Sequence, residues 1–251
     1  MKNKLLFYLS KVPLIGISIF IIFNIIAISQ YPGYDMCYFF EGDDCKSSSY
    51  SFKYNFFSNL GSINTNTDDD IYEFGENNQS NILSMLFFNA SLIAVGTILI
   101  LFYRYFNMFF LWKHDSEKSI NYSLACKYIG IVTGIMFAGV GLAPHDLHFG
   151  LHVFFANGAF LTLLPLSIFH TLAFRHSRYI KSIYSFGYII FCLALLSYLY
   201  LIFYGPRIEP GGTFTQFDLM LQVVGQKSII LIFAISILYQ SVGLKRELNN
   251  S

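Results

Sequence analysis

Six long apolar windows constrain this chain more than any other feature. Between Ile17 and Ile28 the run is nearly unbroken, and a helix crossing a bilayer needs about 20 mostly apolar residues. Windows that meet or approach that length cover residues 12–29, 82–103, 128–143, 147–169, 183–204 and 217–242. The third is short and is expected to begin a few residues earlier, with Lys127 snorkelling from its end. Strands of a membrane barrel would instead show stretches of about ten residues with alternating polarity. The pattern predicts an all-α integral membrane protein: one domain over residues 1–251, a bundle of six transmembrane helices, and one long extracytoplasmic loop. Composition points the same way. With 28 Phe, 18 Tyr and only 12% charged residues, too few polar side chains remain to cover a water-soluble globule. A net charge of +1 without a basic cluster excludes a nucleic-acid partner bound by bulk charge.

Lys and Arg set the expected orientation. With the N-terminus inside, twelve of the sixteen basic residues fall in cytoplasmic segments, among them Lys2, Lys4, Arg104, Lys118, Arg178 and Arg246. Only Lys46, Lys53 and Arg207 lie outside, and Lys227 sits within the last window. Both termini are expected in the cytoplasm and the protein in the cell membrane. The first window is longer than the 7 to 15 apolar residues of a signal peptide, so it reads as a retained anchor.

The loop at residues 30–81 carries nine acidic residues against two lysines. A structureless connection of that length is uncommon, so the segment is expected to be a small cap or a functional element. Its aromatic stretch at residues 50–57 suits a membrane interface, and its Asn/Asp-rich part at residues 64–78 reads equally well as a disordered acidic loop. Cys37 and Cys45 lie on this oxidising side, where a disulfide between them is the expected staple. Cys126 and Cys192 read as small buried hydrophobes.

Two places combine polar residues with apolar surroundings. At the junction of windows three and four stands Pro144-His145-Asp146-Leu147-His148-Phe149-Gly150-Leu151-His152. His148 and His152 are four apart, one above the other on a helix, the spacing by which helices present paired metal ligands. His145, His148 and His152 with Asp146 could hold zinc. The alternatives are a proton or lipid-headgroup contact, or mere helix termination with Asp146 as N-cap of the fourth helix. In the last window Lys227 lies deep in Val224-Gly225-Gln226-Lys227-Ser228, where a cation costs about 2.5 to 3.5 kcal/mol. It either meets a partner in a polar pocket or snorkels outward. Asn89 in the second window is a candidate for an interhelical hydrogen bond. Gly130 and Gly134 have the small-xxx-small spacing of close helix approach, within the chain or in a homo-oligomer. Pro165 is expected to kink the fourth helix.

Tyr54-Asn55-Phe56-Phe57-Ser58-Asn59-Leu60-Gly61 resembles the "aromatic, then Ser-x-Leu-Gly" signature of a six-span membrane family of unknown function, number 998 in the domain series. Phe87-Phe88-Asn89 with Gly96 resembles that family's Phe-Asn opening of span two. Gly141-Leu142-Ala143-Pro144-His145-Asp146 followed by His152 resembles its Gly-x-x-Pro-x-Asp and His junction, and Gly225-Gln226-Lys227 its span-six element. The outer loop is longer than in the family, and the Trp that often follows the basic residue is missing. The wider architecture is similar to Frag/DRAM/Sfk-type membrane proteins, which implies roles in lipid-anchor remodelling, autophagy or membrane lipid organisation.

Three functions follow as expectations. The first is lipid or amphiphile handling in a polar pocket formed by the outer halves of spans two, three, four and six. There Asn89, Gln226 and Lys227 would bind substrate, Lys227 would receive an anion, and Asp146 and His152 would share its pocket. The second is a metal-dependent lipid hydrolase, with zinc on the histidines and Ser58, Asp146 and His152 as catalytic candidates. The third is a transporter that uses Lys227 and the histidines as a relay.

Overall fold

The computed structural model describes residues 1–35, 46–65, 79–208 and 213–250. Six helices in it are long and apolar enough to cross a membrane: α1 (Lys2–Gln30), α2 (Ile82–Trp112), α3 (Glu117–Leu142), α4 (Phe149–Arg175), α5 (Ser182–Tyr204) and α6 (Gln216–Asn249). α1 passes through a wider π turn at Phe7–Lys11, just where Pro13 cannot donate to the carbonyl of Leu9. α5 opens with a 3-10 turn at Ser182–Ser185. Pro165 lies inside the continuous α4.

Several helices outrun their hydropathy windows. α2 continues to Trp112 and α3 begins at Glu117, so the 31 residues of α2 reach about 46 Å at 1.5 Å per residue. Arg104 and Lys127 bound the apolar windows, yet Arg104 is exposed and Lys127 half-buried, while Phe106, Phe109, Phe110, Ser119 and Ser123 on the inner face are buried. Packing of that inner face carries the helices onward. Caps then fix their starts. Ser116 accepts the Ser119 N–H at 3.1 Å and donates to the His176 carbonyl at 2.7 Å; Thr215 and Asp218 form a reciprocal capping box at the head of α6.

Consecutive helices pack side by side, and the start of α1 returns against α6. Near the termini this closes an aromatic core in which Leu5, Leu9, Phe106, Phe110, Phe174, Tyr188 and Leu244 are fully buried. Small residues set the α2–α3 distance. A Cβ on Gly96 would stand 2.3 Å from the Gly134 carbonyl, and one on Gly130 would meet the Tyr103 ring at 2.7 Å. The Gly130/Gly134 face is thus covered within the chain, and a homo-oligomer would have to use another surface.

At the opposite end two short ladders lie in the segment between α1 and α2. β1 (Tyr34–Asp35) pairs antiparallel with β2 (Lys46–Ser47), and β3 (Asn64–Thr65) with β4 (Gln79–Ser80). Cys37 and Cys45 lie outside the described residues. Cys126 and Cys192 are free thiols, the first buried and the second half-buried.

Candidate functional site

The segment from Tyr50 to Asn64 folds over the end of the bundle, and its own polar groups begin the site. The Tyr50 hydroxyl donates to the Asn55 carbonyl at 2.9 Å, and the Asn55 Oδ1 accepts the Ser51 N–H at 2.9 Å. Burial pushes the Tyr50 phenol above its ordinary value, which keeps it a donor at any physiological pH. Phe57–Gly61 then forms one 3-10 helix.

Polar side chains from the helices meet the backbone of this cap. Lys227 of α6 donates to the Asn55 carbonyl at 2.6 Å, so that oxygen, already bonded to Tyr50, has both lone pairs engaged. Its neighbour Gln226 accepts the Phe57 N–H through Oε1 at 2.9 Å. Asn89 of α2 donates to the Gly61 carbonyl at 3.2 Å; a Cβ at Gly61 would stand 2.6 Å from the Asn89 Oδ1, so only glycine lets the cap lie this close to α2. Asp146 accepts the N–H groups of Ile63 and Asn64 through one oxygen, at 2.8 and 3.0 Å. Four residues expected to bind substrate or take part in chemistry therefore hold one loop by its main chain.

Sequence reasoning missed two further pegs. Asn81, buried just before α2, directs its Nδ2 at the Ser62 carbonyl at 2.9 Å, and Ser84 donates to the Leu60 carbonyl at 3.1 Å. Asn before a helix is common for local reasons, so nothing in its position distinguishes Asn81. Asn55, which the sequence marks only as part of a motif, is fully buried and joins Tyr50, Ser51 and Lys227.

The histidine cluster does not assemble as a ligand set. His148 is exposed and caps α4, its Nδ1 accepting the Leu151 N–H at 3.3 Å. That is the role expected of Asp146, which instead turns toward the cap. His152 is buried with its Nδ1 2.8 Å from the Ala143 carbonyl, and its ring centroid is 5.7 Å from that of His145. Among the described residues no three His, Cys, Asp or Glu side chains gather to hold a metal. Ser58 is half-buried on the 3-10 helix and makes no hydrogen bond with a described residue. Lys227 makes no described hydrogen bond to Asp146 or His152, and neither residue lines the cavity that Lys227 borders. Lys227 bonds Asn55, Asp146 bonds Ile63 and Asn64, and no ion pair joins them. Each was drawn to the cap backbone, whose unpaired groups lie nearer than the other side chain.

Under the cap lies a cavity of about 250 Å³. Gly16 and Phe20 of α1, Val95 of α2, and Ile230 and Phe233 of α6 form its walls, and Phe57 of the cap closes one end. The first helix is a wall that the sequence reading had not included. Ile21 and Leu231 also line it and are exposed on the outside of the bundle, so the cavity opens sideways between α1 and α6. Among its described lining residues Lys227 alone carries a charge. The rings of Tyr50, Phe52 and Phe57 stand 5.3, 5.9 and 5.4 Å from the ammonium, a cation–π surround. Comparison of the chain with protein-family models, curated proteins and solved structures gives no match.

Proposed function

We propose that the chain is a six-span integral membrane protein of the cell membrane, with both termini cytoplasmic, that holds an amphiphile beneath its outer cap. Membrane insertion is supported by six helices whose outer faces carry exposed Ile, Leu and Phe side chains along their length, such as Ile22, Leu86, Leu196 and Ile235. The orientation rests on the twelve basic residues expected inside. The motifs that resemble the six-span family converge on one place, because Asn55–Gly61, Asn89, Asp146 and Gln226–Lys227 are the two sides of the cap contact. We read that resemblance as one of architecture.

One observation carries the functional reading: an ammonium stands at the end of an apolar cavity that opens toward the lipid-facing surface. Such a cavity removes an acyl chain from its neighbours, and the polar end fixes its depth. Enclosed pockets with few polar groups are the usual form of small-molecule sites. The test is lipid retention. Protein purified in nanodiscs should carry about one extractable amphiphile per chain, and Ala234→Trp, which fills the cavity from α6, should lose it while still inserting. Equal retention by both proteins would refute the reading.

A further inference from the structure

Lys227 is a cation with unfilled donors. An ammonium has three N–H groups, and among the described residues this one has a single hydrogen bond, to the Asn55 carbonyl. Aromatic rings surround it, and among the described residues no carboxylate lies within ion-pair distance. The residue that holds it is itself short of a partner: Asn55 is fully buried and its Nδ2 makes no hydrogen bond. A buried donor without an acceptor is rare in native proteins, and this one lies on the residue that holds Lys227. The idle N–H groups of the ammonium can still take an acceptor oxygen, best an anionic one.

The cavity limits what can bring that oxygen. Its volume of about 250 Å³ exceeds the ~150 Å³ that accepts benzene and falls short of the ~300 Å³ at which drug-sized pockets begin. The enclosed space takes one acyl chain. Along α6 the lining runs from Lys227 to Ile237, about 15 Å at 1.5 Å per residue. An extended chain advances about 1.2 Å per bond, so the enclosed part takes on the order of twelve bonds.

We infer that the ligand is a single-chain carboxylate, a fatty acid of about twelve or more carbons, whose head accepts from Lys227 and whose tail lies between α1 and α6. The inference rests on the amphiphile-binding reading above and adds to it the charge and the chain number. A monoanion matches one ammonium; a phosphate dianion would need further donors that the site does not supply. The carboxylate replaces the Asn55 carbonyl or joins it at the ammonium, using a donor now idle.

The test uses the full chain in nanodiscs of phosphatidylcholine, with binding corrected for partition into empty discs. Dodecanoate should bind about tenfold or more tightly than dodecanol, the weight of one hydrogen bond to a charged group. Lys227→Gln should remove that preference, and Lys227→Arg should keep it. Ala234→Trp should abolish binding of both. Equal affinity for acid and alcohol in the unaltered protein, with no effect of Lys227→Gln, would overturn the anionic ligand while the cavity reading stood. Dodecyl phosphate or a two-chain phosphatidate binding more tightly than dodecanoate would overturn the head or the chain number. If no chain binds at all, the amphiphile reading fails and this inference with it. Should Lys227→Gln not fold, the ratio of acid to alcohol in the unaltered protein decides the matter alone.

Discussion

The Asp146 carboxylate accepts the Ile63 N–H at 2.8 Å across 83 residues of chain. The same oxygen takes the Asn64 N–H, so one side chain at the α3–α4 junction fixes the point at which the cap turns back toward α2. Charge-assisted bonds to backbone N–H groups are about twice as strong as neutral ones. That makes Asp146 a structural peg whose second oxygen, buried and without a partner among the described residues, adds to the cost of keeping it there.

Removing this peg should loosen the cap without unfolding the bundle. Asp146→Ala leaves two N–H groups unpaired and should cost about 1 to 3 kcal/mol locally. Hydrogen exchange at Ile63 and Asn64 should quicken by roughly tenfold or more for each 1.4 kcal/mol, with exchange in α4 unchanged. Unaltered protection at both amides would show that the carboxylate does not hold them.

Two glycines with opposite surroundings test the helix packing. A Cβ at Gly96 meets the Gly134 carbonyl, whereas one at Gly150 meets nothing within 4 Å. Gly96→Ala should lower stability by about 1 to 3 kcal/mol, and Gly150→Ala should stay within about 0.5 kcal/mol. Thermal unfolding in detergent reads both. Similar melting temperatures for the two variants would contradict the α2–α3 approach.

Orientation can be read with single cysteines in intact cells. An impermeant maleimide should modify a cysteine at Ser48, in the exposed part of the outer segment, and spare one at Glu117, at the exposed start of α3. Labelling of the Glu117 position from outside would invert the topology.

Zinc should be missing from the purified protein in stoichiometric amount, since His148 caps a helix and His152 faces a carbonyl. Elemental analysis decides this. One zinc per chain, lost in His148→Ala, would bring back the hydrolase.

The disulfide between Cys37 and Cys45, which lie outside the described residues, remains an expectation of the sequence. Pairing of Asp35 with Lys46 brings together the two ends of the segment that contains both cysteines. A short closed loop of this kind contributes up to about 2 to 3 kcal/mol. Mass mapping without reductant should find the two linked; alkylation of both would dismiss the bridge.

The order and number of the long helices were legible in the sequence because hydropathy is a local property. Any run such as Ile17 to Ile28 removes its backbone from solvent in the same way, whatever the rest of the chain does. Helix ends were less legible. Arg104 and Lys127 stop an apolar window, but a helix with one packed face tolerates charge on the other, and only the packing of Phe106 and Phe110 shows that α2 goes on.

The polar residues that matter at the outer end were also visible one by one. Asn89, Asp146, Gln226 and Lys227 stand out because polar groups near a membrane core need partners. Which partner each takes depends on where a loop far away in sequence comes to rest, and no spacing rule contains that. The sequence alone therefore determined a six-helix chain with a few polar side chains awaiting hydrogen bonds. The tertiary structure decided that most of those bonds go to the backbone of residues 55–64, that His148 and not Asp146 caps α4, and that Lys227 keeps idle donors beside an apolar cavity. The physical reason is that burial of a polar group fixes only that it must be paired, while the identity of the pair is set by the three-dimensional meeting of segments distant along the chain.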